Sequence, residues 1–295
     1  MAALAALRLN VGLPVGPASC EPPEGLHLLY CGAELMAVTA DAVPAPPGRS
    51  PRYTDVRVAN ARGALAAAER SHTILQSWVD VSHRTSVLRY IETGAELFLK
   101  LLYSHAGATA STQRALLLGL GAGALPTTMR RLCDERIELR GCASLRLTAV
   151  DSSVDALRIT RAFVLRDDGV RLRYVHDTAE SFVAAAAAVA ASAPGAWRTL
   201  TRLLRGSAAL GAPYDLIVND AYQGAVGVAR DAAFLADAKN ALQPGSGVYC
   251  VNVLSTSADQ DARARADEAM LSVFGEVFVE GEGSGNVWLC ARAPA

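Results

Sequence analysis

Hydrophobic positions follow two different patterns, one on each side of about residue 86. Before it, short runs with partial alternation stand at 26–30, 34–39, 53–58 and 72–81. Alternation with a period of two is typical of strands that bury one face. More than half of the 13 prolines precede residue 60, which excludes long helices there. The pattern predicts a small β-rich N-terminal region over residues 1–85.

From residue 86 the pattern becomes helical and then alternates. Apolar residues from Leu88 to Tyr103 recur at helical spacing, which predicts an amphipathic helix. Strand-like runs then alternate with helical runs: strands at 115–118, 145–150, 170–175, 214–218 and 247–254, helices at 122–135, 153–165, 178–191, 228–242 and 259–274. The last two runs, 277–280 and 286–291, are separated by glycines and predict an antiparallel hairpin. The predicted fold class is α/β, a Rossmann-like sheet of seven strands over residues 86–295.

Composition narrows the class of protein. The chain is 51% hydrophobic with a mean hydropathy of +0.21, enough for a large core. Its 28 basic and 29 acidic residues give a net charge of −1, so no overall basic field favours nucleic acid, and we expect no such partner. No apolar run approaches the ~20 residues that a membrane-spanning helix needs, so we expect no membrane partner either.

The six cysteines are scattered and contain no C-x-x-C pair. This spacing favours reduced thiols and a cytoplasmic location, and it predicts neither disulfides nor a metal site. The Ala-rich start, residues 1–20, leaves organelle targeting open as an alternative. The stretch 192–213 is longer than the usual αβ loop of ~2–6 residues, and it is either a lid or an ordinary amphipathic surface helix.

A glycine-rich turn after the strand at 115–118 is the most informative segment. Gly119, Gly121 and Gly123 precede a helix with Pro126 in its first turn. Glycines allow a sharp turn and a close ligand approach, and the helix start offers free N–H groups. Asp151 ends the next strand, at the sheet edge where α/β folds bind ligands, so we expect it to accept ribose hydroxyls. Alternatively, Asp151 only caps the helix that begins near Ser152.

Two more strand ends carry acids at this edge of the sheet. Asp177 is expected to reach an adenine amino group, with helix capping as the alternative. Asp220 follows the strand at 214–218 and is expected to lie where chemistry occurs. The turn also fits the G-x-G-x-x-A dinucleotide fingerprint, but Asp151 comes later than the ~20-residue spacing of that fingerprint. A nucleoside sulfonium such as S-adenosylmethionine therefore fits better than NAD.

Over about residues 70–293 the chain resembles the spermidine-synthase-like branch of the class I S-adenosylmethionine-dependent methyltransferases. The matched motifs are the turn glycines, Asp151, Asp177, a Y-D-x-I-x-x-D strand (Tyr214, Asp215, Ile217, Asp220) and an L-x-P-G-G-like turn (Leu242, Pro244, Gly245, Gly247). The resemblance implies a class I methyltransferase-like sheet and S-adenosylmethionine as cofactor. It implies that the cofactor is bound by Gln76, Gly119, Leu120, Gly121, Gly123, Asp151, Ser152, Asp177 and Thr178. It places Asp220 and Tyr222 as catalytic residues.

The departures from this branch concern the residues that hold a diamine. Aminopropyltransferases have an aspartate in the turn, a D-E-x-x-Y-H-E segment and a second loop aspartate where this chain has Gln223. Since a dication needs several carboxylates in its cleft, methyl transfer to an amine, on a protein lysine or amino terminus, is the leading hypothesis. The alternatives are an aminopropyltransferase using decarboxylated S-adenosylmethionine and a catalytically silent scaffold protein. The sequence leaves the acceptor and the assembly state, a homodimer included, open.

Overall fold

The computed structural model describes residues 25–40, 42–43, 52–53, 55–60, 75–86, 88–103, 112–135, 144–165, 172–191, 212–221, 231–254, 260–283 and 286–295. Its N-terminal part is an antiparallel five-stranded sheet in the order β1-β2-β5-β6-β7. These strands are β1 (His27–Cys31), β2 (Leu35–Thr39), β5 (Asp55–Asn60), β6 (Leu75–Asp80) and β7 (Thr85–Ser86). Two short strands, β3 (Ala42–Val43) and β4 (Arg52–Tyr53), pair with each other. The predicted β-rich N-terminal layer is confirmed.

The second sheet has seven strands in the order β10-β9-β8-β11-β12-β14-β13. They are β8 (Arg114–Leu118), β9 (Arg146–Asp151), β10 (Leu172–His176), β11 (Leu216–Asn219), β12 (Val248–Leu254), β13 (Val277–Gly283) and β14 (Asn286–Arg292). The first five run parallel, and β14 is antiparallel to both β12 and β13. The sequence prediction of a mostly parallel seven-stranded sheet that ends in an antiparallel hairpin is confirmed.

Helices cover both faces of the seven-stranded sheet. They are α1 (Arg89–Tyr103), α2 (Ala124–Glu135), α3 (Val154–Ile159), α4 (Ala179–Ala190), α5 (Ala232–Ala241) and α6 (Gln260–Phe274). One core packs α1, α2, α3 and the N-terminal sheet against the first face. The other core packs α4, α5 and α6 against the second face. Alternate strand residues serve the two cores, so each parallel strand is apolar on both faces, as in doubly wound folds.

The strand order reverses beside β8, and this reversal positions the site. From β8 the chain moves outward through β9 to β10, and it later returns to the other side of β8 through β11 and β12. The connections at the carboxyl ends of β8 and β11 therefore leave in opposite directions and open a crevice. Ligands of open α/β sheets bind at such a switch point.

Helix α3 continues into a π-helical turn over Thr160–Val164. The segment predicted as a single helix, 153–165, therefore contains an α-helix followed by a π-helical turn. Thr160 is buried, and its side chain lies directly against the backbone of Gly123. A π-turn places one extra residue in a helical turn and often occurs beside functional sites. Here it sets Thr160 behind the glycine-rich turn.

The expectation of reduced thiols is wrong in this structure. A disulfide joins Cys250 and Cys290, which face each other on the neighbouring antiparallel strands β12 and β14. Cys31 and Cys133 each take part in another disulfide. The Cys250–Cys290 pair is separated by 40 residues in sequence, so spacing rules for short motifs could not find it.

In the part of the chain that the structure describes, none of the helices is long and apolar enough to cross a bilayer. The segment 192–213, predicted as a lid or surface helix, lies outside the described residues except for Ala212 and Pro213.

Candidate functional site

The glycine-rich turn connects β8 to α2, and all three of its glycines have positive φ, at 84°, 53° and 73° for Gly119, Gly121 and Gly123. At Gly119 a Cβ would come within 2.6 Å of the backbone oxygen of Asp220. At Gly123 a Cβ would collide with the side chain of Thr160. Two of the glycines therefore let neighbouring chain segments pack against the turn.

Gly121 differs from the other two glycines. Among the described residues, the nearest atom to a Cβ at Gly121 is the Cβ of Ser77, at 3.5 Å. Ser77 lies on β6, so the turn faces the N-terminal sheet across a narrow space. A Cβ at Gly121 would fill this gap at ordinary van der Waals distance, so packing alone does not require a glycine here. Gln76 is the strand neighbour of Ser77, and its side chain lies outside the described residues.

Asp151 ends β9 beside this turn. Its Oδ2 accepts a hydrogen bond of 2.7 Å from the N–H of Leu120, and its Oδ1 accepts one of 2.8 Å from the N–H of Ser153. Burial raises the pKa of Asp151, and the backbone donors oppose that rise. A carboxylate has about four acceptor positions, so Asp151 can still accept from a ligand hydroxyl. The N-cap of α3 is Ser153, whose Oγ accepts from the N–H of Ala156, so Asp151 does not cap that helix.

Two acidic residues from other segments, Asp177 and Glu34, lie close to Asp151. The backbone N–H of Asp177 donates to the carbonyl of Asp151 at 3.2 Å. Glu34, in the turn between β1 and β2, raises the pKa of Asp151 through its negative charge. The His176 Nε2 lies 3.1 Å from the carbonyl oxygen of Ser152, so this nitrogen carries the hydrogen. The predicted residues Ser152 and Asp177 are thus brought together around Asp151.

The capping alternative for Asp177 does not hold. Thr178 is the N-cap of α4, and its side chain accepts from the N–H of Ser181 at 3.2 Å. The Oδ1 of Asp177 accepts only the neighbouring N–H of Thr178, at 2.8 Å, among the contacts the described residues make with it. The second oxygen of this half-buried carboxylate accepts no hydrogen bond from the described residues.

Asp220 lies at the carboxyl end of β11, on the opposite side of β8 from Asp151. Its backbone N–H donates to the carbonyl of Leu118 at 2.8 Å, which fixes it against the glycine-rich turn. Its Oδ1 accepts a hydrogen bond of 2.8 Å from the Nδ2 of Asn252. Removal of the carboxyl group from water raises the pKa of Asp220 to about 7, although the hydrogen bond from Asn252 acts to lower it. A carboxyl group with this pKa can exchange a proton near neutral pH.

Asn252 is a residue of the candidate site that sequence reasoning missed. It lies on β12 and is only 5% exposed. Its Oδ1 is buried and has no hydrogen-bond partner within the described part of the chain. The signal was present, because Asn252 is the only amide or charged residue of the strand Val248–Leu254 and stands near its carboxyl end. Tyr222, predicted beside Asp220, lies outside the described residues.

The described residues contain no cluster of three or more His, Cys, Asp or Glu side chains that could hold a metal ion. The site instead consists of an open glycine-rich turn, a hydrogen-bonded acid at β9 and a shielded acid at β11. The turn and Asp151 suit a nucleoside with free hydroxyls. Asp220 and Asn252 suit a polar group that carries hydrogen-bond donors.

Comparison with solved structures shows the same fold in spermidine synthases and methyltransferases. A probable spermidine synthase from Corynebacterium glutamicum matches with a TM-score of 0.54 and 20% identity, covering 92% of this chain and 81% of that chain. Human methyltransferase-like protein 13, in complex with SAH, matches with a TM-score of 0.50 and 18% identity, covering 69% of this chain and 81% of that chain. Spermidine synthase from Thermotoga maritima matches with a TM-score of 0.52 and 11% identity, covering 91% of this chain and 73% of that chain. No family model and no curated protein sequence matches this chain. The chain thus has a spermidine-synthase-like, class I methyltransferase fold.

Proposed function

We propose that this protein is a transferase that binds S-adenosylmethionine and transfers its methyl group to an amine. One observation carries the proposal. The open glycine-rich turn with Asp151 stands on one side of the β8 end, and Asp220, with a pKa of about 7, stands on the other. A nucleoside held on the first side would present its reactive end toward the second.

The charges around the turn favour a nucleoside sulfonium over a dinucleotide. Asp151 and Glu34 are both acids, and the negative charge of each would repel an anionic ligand group at the glycine-rich turn. A pyrophosphate would meet this repulsion, whereas a cationic sulfonium would not. Asp151 would accept ribose hydroxyls, Asp177 would accept from the adenine amino group, and Gly121, which has no Cβ, would let the ligand lie against the backbone of the turn.

The bound S-adenosylmethionine would supply an electrophilic methyl group, and the protein would position the acceptor. Asp220 would hold the nucleophilic nitrogen and accept its proton, which a carboxylate with a pKa near neutral can do. Packing of Asp220 against Gly119 would keep the carboxylate close to the bound nucleoside. Tyr222 follows in the same loop and remains a proposed catalytic residue.

Aminopropyl transfer from decarboxylated S-adenosylmethionine is the second candidate function. The match to the probable spermidine synthase covers 92% of this chain, which supports considering this candidate. The glycine-rich turn has no acid, however, and a diamine dication would lack the carboxylates it needs there. Methyl transfer therefore remains the better proposal.

Calorimetric titration tests the proposal directly. Purified protein is titrated with S-adenosylmethionine, decarboxylated S-adenosylmethionine and NAD. We expect S-adenosylmethionine to bind best, and Asp151→Asn to weaken it by about 10–100-fold through the loss of charged hydrogen bonds. The matched control is Asp215→Asn, because Asp215 accepts a backbone N–H from Arg114 at 2.7 Å, at the opposite end of the same sheet.

Each other outcome has a definite meaning. Preference for decarboxylated S-adenosylmethionine would establish the second candidate. Binding of NAD alone would replace both with a dinucleotide enzyme. No nucleoside binding by the folded protein would leave the scaffold hypothesis, and equal losses in both variants would remove Asp151 from the site.

A further inference from the structure

The disulfide between Cys250 and Cys290 lies inside the seven-stranded sheet and under a helix. The two residues stand directly opposite each other on β12 and β14, and neither has exposed surface. Both belong to the core on the α1 face of the sheet. Helix α1 contacts β11, β13 and β14, so it crosses the strands that carry the disulfide. A dissolved reductant therefore cannot reach either sulfur while α1 is packed on the sheet.

The backbone ladder brings these two side chains close together. The N–H of Ala293 donates to the carbonyl of Gly247 at 2.8 Å, which makes residues 247 and 293 a hydrogen-bonded pair. The two kinds of pair alternate along antiparallel strands, so Cys250 and Cys290 form a non-hydrogen-bonded pair. Side chains approach each other most closely in such pairs. The sheet therefore keeps the two sulfurs together, whether or not they are bonded.

Reduction changes the space that the two sulfurs need. Bonded sulfurs lie about 2.05 Å apart, whereas non-bonded heavy atoms prefer a separation of about 3.5–4 Å. Two thiols therefore need more room than the disulfide, in a core that is closely packed. The sheet resists widening at this place, because β14 is paired with β12 on one side and with β13 on the other. The sulfurs must then move toward α1 or along the face of the sheet.

Both movements disturb contacts that join α1 and the candidate site. Along the same face of the sheet, the next pair of opposite residues is Asn252 and Trp288. Asn252 donates to Asp220 at 2.8 Å, and Trp288 donates to the carbonyl of Tyr90 in α1 at 3.2 Å. Displaced sulfurs would therefore loosen the packing of α1 and the hydrogen bond to Asp220 together.

We propose that the Cys250–Cys290 disulfide is a redox-sensitive switch: the oxidised form holds α1 on the sheet and keeps the Asn252–Asp220 contact, and the reduced form loosens both. The reductant is a small-molecule thiol or dithiol. Its thiolate attacks one sulfur and forms a mixed disulfide, and a second thiol then releases the protein sulfur. Two electrons pass to the protein, Cys250 and Cys290 each gain a hydrogen, and the reductant becomes a disulfide. The proposal does not depend on which ligand binds in the crevice.

Burial makes the movement of α1 and the reduction of the disulfide depend on each other. A thiolate can attack only after α1 lifts from the sheet, and the two thiols that result oppose the return of the helix. Re-formation of the bond favours the packed helix by the same linkage. Of the four described cysteines, Cys31 is exposed and Cys133 is half-buried, so their disulfides do not lie under α1 in this way.

Hydrogen exchange on the full-length protein tests the proposal. The protein is treated with dithiothreitol without denaturant, and thiol alkylation with mass spectrometry records which cysteines are reduced. Once Cys250 and Cys290 are reduced, we expect amide exchange in α1 to accelerate about tenfold or more, while β8 and β9 keep their protection. The pKa of Asp220, about 7 in the oxidised protein, should fall toward its ordinary value as water enters.

The double variant Cys250→Ala with Cys290→Ala is the matched control. It has neither the bond nor the two sulfurs, so α1 has room to stay packed, and dithiothreitol should leave its exchange unchanged. If this variant does not fold, the time course decides: α1 exchange must follow reduction of Cys250 and not that of Cys31 or Cys133.

Three results would overturn the proposal. In the first, dithiothreitol accelerates α1 exchange in the double variant as well, which assigns the effect to the other disulfides. In the second, the Cys250–Cys290 bond stays intact until the whole protein unfolds, so it is a structural crosslink. In the third, the bond is reduced and α1 exchange does not change.

Discussion

Gly119 and Gly121 both have a positive φ, but their surroundings differ. At Gly119 the atoms nearest a Cβ belong to the backbone of Asp220 and Ala221, at 2.6–2.7 Å. Backbone atoms cannot move aside without displacing the end of β11. At Gly121 the nearest contact is ordinary van der Waals contact with Ser77. Packing therefore requires a glycine at position 119 and does not require one at position 121.

Alanine substitutions should separate the two roles. Gly119→Ala combines left-handed strain of ~1–2 kcal/mol with a backbone clash, so we expect it to destabilise the protein by about 3 kcal/mol or more. Gly121→Ala has the strain alone and should cost ~1–2 kcal/mol, but it should reduce S-adenosylmethionine affinity at least tenfold. Urea denaturation and calorimetry measure the two effects. Equal destabilisation, or full affinity in Gly121→Ala, would contradict this assignment.

The sequence predicted that glycines and acids stand at the strand ends of the candidate site, but it could not predict the hydrogen-bond partners of their side chains. A glycine turn and strand-end acids are local patterns, so their place in the crevice follows from the strand alternation. Capping was ambiguous because Asp177 and Thr178 are both good caps, and only the structure selects Thr178. The Asn252–Asp220 contact spans 32 residues and depends on the pairing of β11 with β12, which no local pattern contains.

At the scale of elements, α1 is held to the seven-stranded sheet by Trp288 of β14. Trp288 is fully buried, donates from Nε1 to the carbonyl of Tyr90 at 3.2 Å, and meets Phe98 edge-on at 4.8 Å. Gly94 lies between these contacts on the helix, and a Cβ there would stand 2.6 Å from the Trp288 Nε1. The helix accepts a glycine at this position because the indole ring occupies the space of a side chain.

Gly94→Ala should reverse the usual effect of this substitution. Alanine in place of a helical glycine normally stabilises by about 1 kcal/mol. Here the methyl group would push against a fixed ring in a closely packed core, which typically costs ~1–3 kcal/mol. We therefore expect a lower midpoint in thermal or urea unfolding. The double variant Gly94→Ala with Trp288→Phe should recover part of the loss, and a stabilised single variant would show that α1 moves freely on the sheet.

The order of helices and strands was predictable from the sequence, but the long-range residue contacts that join these elements were not. Hydrophobic periodicity located the helices and the longer strands to within a few residues of their observed bounds, because each buries a regular face, but it did not predict the two-residue strands β3, β4 and β7. The π-turn that begins at Thr160 packs this side chain against the glycine-rich turn, 37 positions away at Gly123, and no local pattern contains that contact. The Cys250–Cys290 disulfide likewise depends on β14 returning antiparallel to β12.

At the scale of the whole molecule, two sheets meet at the crevice, and a buried carboxylate joins them. Asp155 on α3 is 6% exposed and accepts three hydrogen bonds from the N-terminal sheet. The donors are the Tyr30 hydroxyl at 2.6 Å, the Glu34 N–H at 2.8 Å and the Leu35 N–H at 3.3 Å. Gly32 lies directly against the same carboxylate. This anchor holds the β1–β2 turn, and with it the charge of Glu34, close to Asp151.

Asp155→Asn should loosen the N-terminal sheet selectively. The asparagine amide has no negative charge, and its N–H groups would face the backbone N–H donors of Glu34 and Leu35. We therefore expect the free energy of unfolding to fall by about 1.5–3 kcal/mol. Hydrogen exchange should then accelerate in β1 and β2 while β8 and β11 keep their protection, because the seven-stranded sheet has its own core. Tyr30→Phe removes one of the three donors and should give a smaller change in the same strands. Uniform acceleration across both sheets would mean that they unfold as one unit, and no acceleration would mean that apolar packing, not Asp155, holds the β1–β2 turn over the site.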